Sequence, residues 1–499
     1  MSGPNLTASS ALQPVLPGFY PDPTICRVGE DYYLSTSSFE YFPGAPVFHS
    51  RDLVSWAQIG HALDRRSQFR LGNALPSTGI YGSTLRHHNG TFWFVTTNVS
   101  DYEAGQVLVH AENLAGPWSD PVFVSGAVGI DPDLCWDDEG TCYLSWKAMS
   151  LSEGEVGILQ ARLDTDNGNL IGEPYPIWQG SGLGAVEAPH LYRIGEYWYL
   201  LLAEGGTERG HCVTAARSAH PSGPFEPCPN NPVFTHRSLI HPVQNVGHAD
   251  LVQTASGNWA AVYLGVRPRG STPGFHVLGR ETFLAGVDWV DGWPVFNEAR
   301  FEVPVTDTAF EEDFASDVLD ARWVVPAGEP ENVVVRDTGG GIQLKPLPDG
   351  SPGLLCARIR DLSWAAEATV EDAGSLVLRI DDRYCFGLTL DGGQVSAWAQ
   401  LGDMRHSTGQ RSVPADGPVV LSLKSVPASS PPVPLGHGGP DDVVLSVMEG
   451  SGPVELGRLD GRHLSTEVAS GFTGRMLALQ AVDGTGTFRP VKYTPITRN

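Results

Sequence analysis

Short runs of alternating apolar and polar residues dominate the first part of the chain. Residues 32–37 and 92–97 are typical, since both are rich in aromatic and branched side chains. Glycine, proline, asparagine and aspartate separate the runs, and few windows keep a helical period beyond two turns. Short strands with frequent turns predict an all-β fold.

A longer pattern occurs five times. It consists of a polar or aromatic residue, a nearby apolar residue, a Gly turn and an aromatic-rich strand. The first copy reads Tyr-Pro-Asp22-Pro-Thr-Ile and then Gly29-Glu-Asp-Tyr-Tyr-Leu; the fourth reads Val-Glu187-Ala-Pro-His-Leu and then Gly195-Glu-Tyr-Trp-Tyr-Leu. The glycines recur roughly every 50–60 residues, a spacing typical of radial β repeats. We therefore predict a five-bladed β-propeller with four strands in each blade.

One residue of each repeat is expected to face the propeller axis: Asp22, Tyr81, Asp131, Glu187 and His248. An Asp before Pro often only begins a turn, but three acids at matched positions favour a shared functional pocket. His248 has two interpretations, a hydrogen-bonded core residue or a contact for substrate or metal. Tyr81 can equally stack on a sugar or pack in the core.

A polar segment at residues 297–309 separates this module from a second one, in which the Gly-turn repeat is absent. Strands of about 6–8 residues with regular turns predict a β-sandwich there, of the jelly-roll, lectin-like kind. The predicted organisation is an N-terminal tail (1–13), the propeller (14–300) and the sandwich (310–499). A Pro/Gly-rich loop at residues 425–442 lies inside the sandwich.

The net charge of −25 argues against nucleic acid and anionic membrane surfaces as partners, because both need Lys and Arg. No apolar run approaches the ~20 residues of a membrane span. A neutral sugar is compatible with this charge.

The seven cysteines form no CxxC pair and are odd in number, which predicts free buried thiols in a reducing compartment. A Cys135–Cys142 disulfide is the alternative. The first ten residues have neither the basic start nor the apolar core of a secretory signal, so a cytoplasmic location is expected.

Three acids in one pocket suggest hydrolysis of a glycosidic bond. That reaction needs two carboxyl groups in different protonation states, one to protonate the leaving oxygen and one to activate water or attack carbon. A third carboxylate can raise the pKa of the acid by like-charge repulsion. A wide gap between acid and base leaves room for water and implies inversion of the anomeric centre.

The chain also resembles glycoside hydrolase family 43. The opening at residues 14–34, with Asp22, is similar to the start of that family, and residues 38–56 resemble its β-xylosidase and α-L-arabinofuranosidase branch. Further matching segments are Glu187-Ala-Pro-His-Leu-Tyr, residues 203–211, Gly247-His248-Ala-Asp-Leu and Leu278-Gly-Arg280-Glu-Thr. The resemblance covers the whole first module, and the second module resembles the β-sandwich that accompanies this branch.

The resemblance implies a five-bladed propeller that acts by inversion. It implies that Asp22 is the general base, Glu187 the general acid, and Asp131 the residue that tunes the pKa of the acid and orients it. Arg280 matches a residue that contacts the terminal sugar. His248 matches a histidine near the axis, which in some members lies beside a hydrated calcium ion; no cofactor is required otherwise.

The resemblance also implies a set of pocket walls. Phe39 and Trp146 match positions that line the pocket, and Phe472, in Gly471-Phe472-Thr-Gly, resembles an aromatic cap that favours removal of one terminal sugar. Residues 80–84 read Ile-Tyr-Gly-Ser-Thr where many β-xylosidases have Ile-Trp-Ala-Pro-Asp. This departure leaves the preference between xylose and arabinose open.

We therefore predict an exo-acting, inverting glycosidase of xylan degradation. It would remove terminal β-D-xylosyl or α-L-arabinofuranosyl residues, or both, from oligosaccharides. One alternative is a sugar-binding propeller that has lost catalysis, against which the three acids count. A structural interaction propeller is the other. A homo-oligomer is compatible with the sequence.

Overall fold

The computed structural model describes residues 12–70, 75–150, 154–336, 341–347, 350–414, 417–429, 438–482 and 486–496. Almost all regular structure in these ranges is β, which confirms the all-β prediction. The helical segments are the short α1 (Pro330–Val333) and α2 (Thr466–Ala469) and 3-10 turns at Val99–Ala104, Glu298–Arg300 and Gly461–Leu464. No helix in the described ranges has the length and apolar character needed to cross a membrane.

The first two sheets lie before residue 125. The chain begins with β1 (Thr24–Val28), β2 (Asp31–Ser35), β3 (Tyr41–Phe42), β4 (Gly44–Ser50) and β5 (Ala57–Leu63). All of these except β3 form the first four-stranded sheet. The second sheet contains β6 (Ile80–His88), β7 (Thr91–Asn98), β8 (Gln106–Ala111) and β9 (Val122–Val124).

Three further four-stranded sheets follow the same sequential order. The third contains β10 (Gly129–Trp136), β11 (Cys142–Ser150), β12 (Gly154–Asp164) and β13 (Asn169–Trp178). The fourth contains β14 (Glu187–Ile194), β15 (Tyr197–Glu204), β16 (Cys212–Ser218) and β17 (Glu226–Pro227). The fifth contains β18 (Gln244–Gln253), β19 (Trp259–Val266), β20 (Glu281–Val290) and β21 (Trp293–Asn297).

A Gly turn joins the first two strands of each of these sheets, as the repeat predicts. All five glycines have a positive φ, which a residue without Cβ adopts at little cost. They are Gly29, Gly90, Gly140, Gly195 and Gly257. The tight turns keep the two strands antiparallel and adjacent.

The remaining strands form two larger sheets and one small pairing. In chain order they are β22 (Phe310–Glu312), β23 (Val325–Pro326), β24 (Val334–Arg336), β25 (Ile342–Leu344), β26 (Leu354–Arg358), β27 (Trp364–Glu371), β28 (Gly374–Arg379), β29 (Tyr384–Asp391), β30 (Gln394–Leu401), β31 (Met404–Ser412), β32 (Val419–Val426), β33 (Asp442–Glu449), β34 (Gly452–Asp460), β35 (Met476–Gln480) and β36 (Gly486–Pro495).

The eight-stranded sheet has the order β24-β25-β36-β27-β32-β33-β34, with β22 also paired to β36; the six-stranded sheet has the order β26-β35-β28-β29-β30-β31. Strand β27 alternates strictly between buried and partly buried residues. Its buried side chains share one apolar cluster with residues of β28 and β29 in the other sheet, so this cluster joins the two sheets.

The two parts of the chain are in direct contact. Strand β3 pairs with β23, with Phe42 opposite Val325. The Arg358 guanidinium donates a hydrogen bond of 2.7 Å to the carbonyl of Phe19, and one apolar cluster contains Phe19 and Phe39 together with Cys356, Val377 and other residues of the second part. The first and second parts therefore bury apolar surface against each other.

A buried polar network joins the first strands of the five repeated sheets. Arg86 on β6 donates to Asp133 on β10 at 2.8 Å and to Asp250 on β18 at 2.9 Å. Asp250 also accepts from Thr24 on β1 at 2.7 Å and from Tyr192 on β14 at 2.5 Å. All five strands therefore meet at one cation and two carboxylates.

The cysteines are free and buried, as the sequence predicts. Cys135 lies opposite Tyr143 and Cys142 lies opposite Trp136, so the two thiols of the alternative disulfide are not cross-strand partners.

We expect Arg86→Met to destabilise the protein by about 3–5 kcal/mol, because it leaves the carboxylates of Asp133 and Asp250 buried without their cation. The midpoint of urea unfolding, followed by tryptophan fluorescence, measures the loss. Arg51→Met is the matched control, since the Arg51 side chain is 76% exposed in its ion pair with Asp31. Equal midpoints for the two variants would contradict a structural role for the network.

Candidate active site

One pocket collects residues from all five repeats. It has a volume of about 170 Å³ and includes eight of the nine residues predicted from the sequence. Its lining consists of Asp22, Phe39, Tyr81, Gly82, Ile130, Asp131, Glu187, Gly206, Thr207, His248, Arg280 and Phe472. The three predicted acids are thus brought together.

Local backbone geometry directs these side chains into the pocket. Asp22, Asp131 and His248 have φ values of 53°, 53° and 47°. Strands β10, β14 and β18 each shift register at this point, so that one extra residue interrupts the ladder. Such bulges re-aim a side chain and are common beside functional sites.

Glu187 departs from the matched position that the repeat predicts. In the fourth sheet the residue with positive φ is Ala188, at 50°, and Glu187 precedes it. The backbone N–H of Ala188 donates a hydrogen bond of 3.2 Å to Asp131 Oδ2. The longer Glu side chain reaches the pocket from one residue earlier in the repeat.

Asp22 is held in its charged form. Burial raises the pKa of its carboxyl, but the Arg280 guanidinium and the neighbouring polar groups together lower it by more, so that the pKa lies below its ordinary value. Arg280 Nη1 donates to Asp22 Oδ1 at 2.8 Å, and His248 Nδ1 lies 3.6 Å from the same oxygen. Asp22 is therefore an ionised carboxylate at neutral pH.

Asp131 has the opposite electrostatic environment. Burial raises the pKa of this carboxyl well above its ordinary value, and the neighbouring carboxyls of Glu187 and Asp22 raise it further. Two acids in such proximity cannot both ionise at low cost, so the Asp131–Glu187 pair retains a proton at a pH where an isolated acid has lost it. The pocket thus contains one ionised carboxylate and one proton-holding pair.

Aromatic rings and a guanidinium cover one side of the pocket. Phe472 stacks on Phe39 with ring centroids 5.8 Å apart and meets Tyr81 edge-on at 5.9 Å. The Arg280 guanidinium lies 5.6 Å from both the Phe39 and the Phe472 ring centres. Phe472 comes from the second part of the chain, so both parts build the site. Tyr81 both lines the pocket and packs on its neighbours.

The structure places Trp146 in the core, whereas the sequence-based expectation is that it lines the pocket. Its side chain is 1% exposed and belongs to the apolar core around the third sheet, and its indole N–H donates to the carbonyl of Val128 at 3.2 Å. It lies outside the pocket lining. The physical reason is the two-residue period of strand β11, in which adjacent side chains point to opposite faces.

The protein atoms around His248 do not supply the six to eight oxygen ligands that a directly bound calcium ion needs, since His248 lies 6.4 Å from the His190 ring and beside the Asp22 carboxylate, which also accepts from Arg280. The expected calcium contact through water stays a prediction. Burial lowers the pKa of His248 to about 3. Within the described ranges, the triad with metal-ligand spacing is His236, His241 and Glu298, which omits His248.

Among the residues that sequence reasoning missed, three affect the charged side chains of the site. Thr207 accepts a hydrogen bond of 3.1 Å from Arg280. The charge of Lys147, which is buried on β11, acts to lower the pKa of Asp131. The sequence feature that could have identified this residue is a lysine inside a buried strand. At Gly82, a Cβ would lie 2.4 Å from Asp131 Oδ1 and 3.0 Å from His248 Cε1. A glycine there leaves room for both side chains.

The chain is similar to a family model and to curated proteins. The model of the Glycosyl hydrolases family 43 matches residues 11–294. A xylosidase/arabinosidase of Butyrivibrio fibrisolvens is 41% identical, over 76% of this chain and 77% of its own length. A non-reducing end alpha-L-arabinofuranosidase of Bacteroides ovatus is 36% identical, over 96% of this chain and 93% of its own length.

Solved structures share the architecture of the whole chain. A xylan beta-1,4-xylosidase from Bacillus halodurans has a TM-score of 0.86 at 27% identity, covering 97% of this chain and 100% of that one. The GH43B protein of the Bacteroides ovatus xyloglucan locus has a TM-score of 0.83 at 34% identity, covering 97% and 98%. With a family model that spans more than half of its length and relatives that align almost end to end, this chain belongs to glycoside hydrolase family 43.

Proposed function

We propose that the protein is an exo-acting, inverting glycosidase that removes terminal β-D-xylosyl or α-L-arabinofuranosyl residues, or both, from oligosaccharides. One observation carries this proposal: a single pocket holds Asp22, whose carboxyl is ionised, together with the pair Asp131 and Glu187, which retains a proton. The names of the relatives, a xylosidase/arabinosidase and an alpha-L-arabinofuranosidase, support the choice of sugars.

The architecture assigned to this function is a propeller followed by a sandwich. Five four-stranded sheets whose first strands share one polar network support five blades around an axis, over residues 14–300. An apolar cluster between the eight-stranded and six-stranded sheets supports a jelly-roll, lectin-like β-sandwich over residues 310–499.

In the proposed reaction Asp22 is the general base. Its carboxylate takes a proton from a water molecule, and the oxygen of that water forms the new bond to the anomeric carbon. The glycosidic bond breaks on the opposite face of the sugar. The electron pair of that bond goes to the leaving oxygen, which takes the proton of Glu187. The products are a free sugar and a shortened oligosaccharide.

Asp131 acts on Glu187 through charge. A protonated general acid must hold its proton near neutral pH, and a second buried carboxyl raises the pKa of its neighbour by like-charge repulsion. The hydrogen bond from the Ala188 N–H to Asp131 fixes this carboxyl next to the backbone that carries Glu187. A protein that only binds sugar needs no such arrangement.

The shape of the site favours cleavage at a chain end. The pocket volume of about 170 Å³ is below the roughly 300–1,000 Å³ of typical sites for larger ligands. Phe472 and Phe39 cover one side, and Arg280 provides donors beside Asp22. A small pocket with one covered side accommodates a single terminal sugar and leaves the rest of the oligosaccharide outside.

The decisive experiment measures hydrolysis of paired nitrophenyl β-D-xylopyranoside and α-L-arabinofuranoside, with NMR of the first-formed sugar. Because a water molecule attacks from the face opposite the leaving group, the β-xyloside should release α-xylose before mutarotation. Initial release of β-xylose would indicate retention and would make Asp22 a nucleophile. Absence of turnover on both substrates would contradict the proposed activity.

Leaving-group dependence separates the roles of the acids. Glu187→Ala should lose about 10²–10⁴-fold in kcat/KM on a xylobiose substrate, and far less on a dinitrophenyl glycoside, because a good leaving group needs little protonation. Asp22→Ala should lose activity on both substrates, since neither can replace the base. Equal losses for Glu187→Ala on the two substrates would exclude Glu187 as the general acid.

The pH profile tests what keeps Asp22 ionised. In Arg280→Gln, burial acts on Asp22 without the opposing guanidinium, so its pKa should rise by about 1–3 units. The base then takes up a proton already at a higher pH. The acidic limb of the kcat/KM profile should therefore move to higher pH by the same number of pH units. Arg209→Gln, which removes an exposed arginine outside the pocket lining, is the control and should leave the limb in place.

A further inference from the structure

Ser77 lies where the two parts of the chain meet above the pocket. It belongs to the short segment before β6, is partly buried, and has a φ of 62°, which non-glycine residues seldom adopt. Three hydrogen bonds converge on it from separate elements. Residues held in such a backbone conformation often cluster at ligand clamps.

The first hydrogen bond anchors Ser77 to the turn between β2 and β3. Its backbone N–H donates to Glu40 Oε2 at 3.0 Å, and Glu40 is only 3% exposed. Two residues on, a Cβ at Gly79 would lie 2.2 Å from the carbonyl oxygen of Phe39. The segment is therefore packed tightly against the backbone beside Phe39, one of the pocket walls.

The other two hydrogen bonds connect Ser77 to the pocket lining. The carbonyl of Ser77 accepts from the Tyr81 hydroxyl at 2.9 Å, and its Oγ accepts from the backbone N–H of Phe472 at 2.9 Å. Ser77 is thus bonded to one wall of the pocket and to its cap.

Gly471 makes this approach possible. A Cβ at Gly471 would lie 2.5 Å from Ser77 Oγ, and its φ is 85°. Phe472 is 37% exposed, so packing alone leaves it a large free surface. The hydrogen bond from its N–H is the polar link in this region between the described residues of the cap loop and the segment before β6.

We propose that Ser77 is a positioning residue that docks the Phe472 loop on the pocket and so sets the affinity for the terminal sugar. This role rests on the proposed glycosidase function for its kinetic consequence. A docked cap covers the sugar equally before and during bond cleavage, so its loss should raise KM and leave kcat nearly unchanged.

The first test does not depend on activity. In Ser77→Ala the Phe472 N–H loses its acceptor, whereas the backbone contacts of residue 77 to Glu40 and Tyr81 remain. Hydrogen exchange of the Phe472 amide, measured by mass spectrometry on a peptide from this loop, should accelerate at least about ten-fold. Ser100→Ala is the matched control, because Ser100 Oγ bonds to Thr78 Oγ1 in the same region and not to the cap. Unchanged exchange in Ser77→Ala would overturn the docking.

The second test is a double-mutant cycle on the nitrophenyl substrate that the wild type cleaves better. Ser77→Ala should raise KM about three- to ten-fold, the effect of one hydrogen bond, with kcat changed less than about two-fold. If Ser77 acts through the cap, Phe472→Ala and the double variant should have the same KM. Additive effects, or a fall in kcat alone, would contradict the positioning role. An inactive wild type would contradict the proposed function and leave the exchange result to decide the docking.

Discussion

The Arg86 guanidinium, shared by Asp133 and Asp250, is the interaction on which the arrangement of the five repeated sheets depends. Its two carboxylates belong to different sheets, and Asp250 brings in Thr24 and Tyr192 from two more. The Arg86 side chain is 15% exposed, and those of Asp133 and Asp250 are 1% and 0% exposed. Removing one member of such a buried group leaves the others without compensation, so the strands cannot separate independently.

Several pocket residues lie only a short distance before this network along the chain. Asp131 precedes Asp133 by two positions, and His248 precedes Asp250 in the same way. Residues two apart in a strand point to the same face, although the bulges between them alter their direction. The buried network around Arg86 therefore holds the strands in place, and the bulges determine the direction in which the pocket side chains point.

Much of this organisation could be predicted from the sequence because it repeats. Five Gly turns with positive φ and five strand pairs follow directly from the pattern. The network around Arg86 could not be predicted, because it joins single residues of repeats that are far apart in the chain. Glu187 fell one residue from the expected position because the backbone of its bulge places Ala188 there.

The positions of Trp146 and Lys147 show a second limit. Both lie in strand β11, and the family resemblance assigns the aromatic residue to the pocket. Alternation along the strand instead places Trp146 in the core and leaves Lys147 to act on Asp131. A pattern of residue types locates a strand, whereas the face of each side chain depends on the register of that strand with its partners.

The contribution of Phe472 has a consequence for how the site responds to changes elsewhere in the molecule. The acids belong to the first part of the chain, whereas the ring that covers them belongs to the second. Substitutions along the contact between the two parts, such as the pairing of β3 with β23, can therefore alter how the sugar is covered without touching an acid.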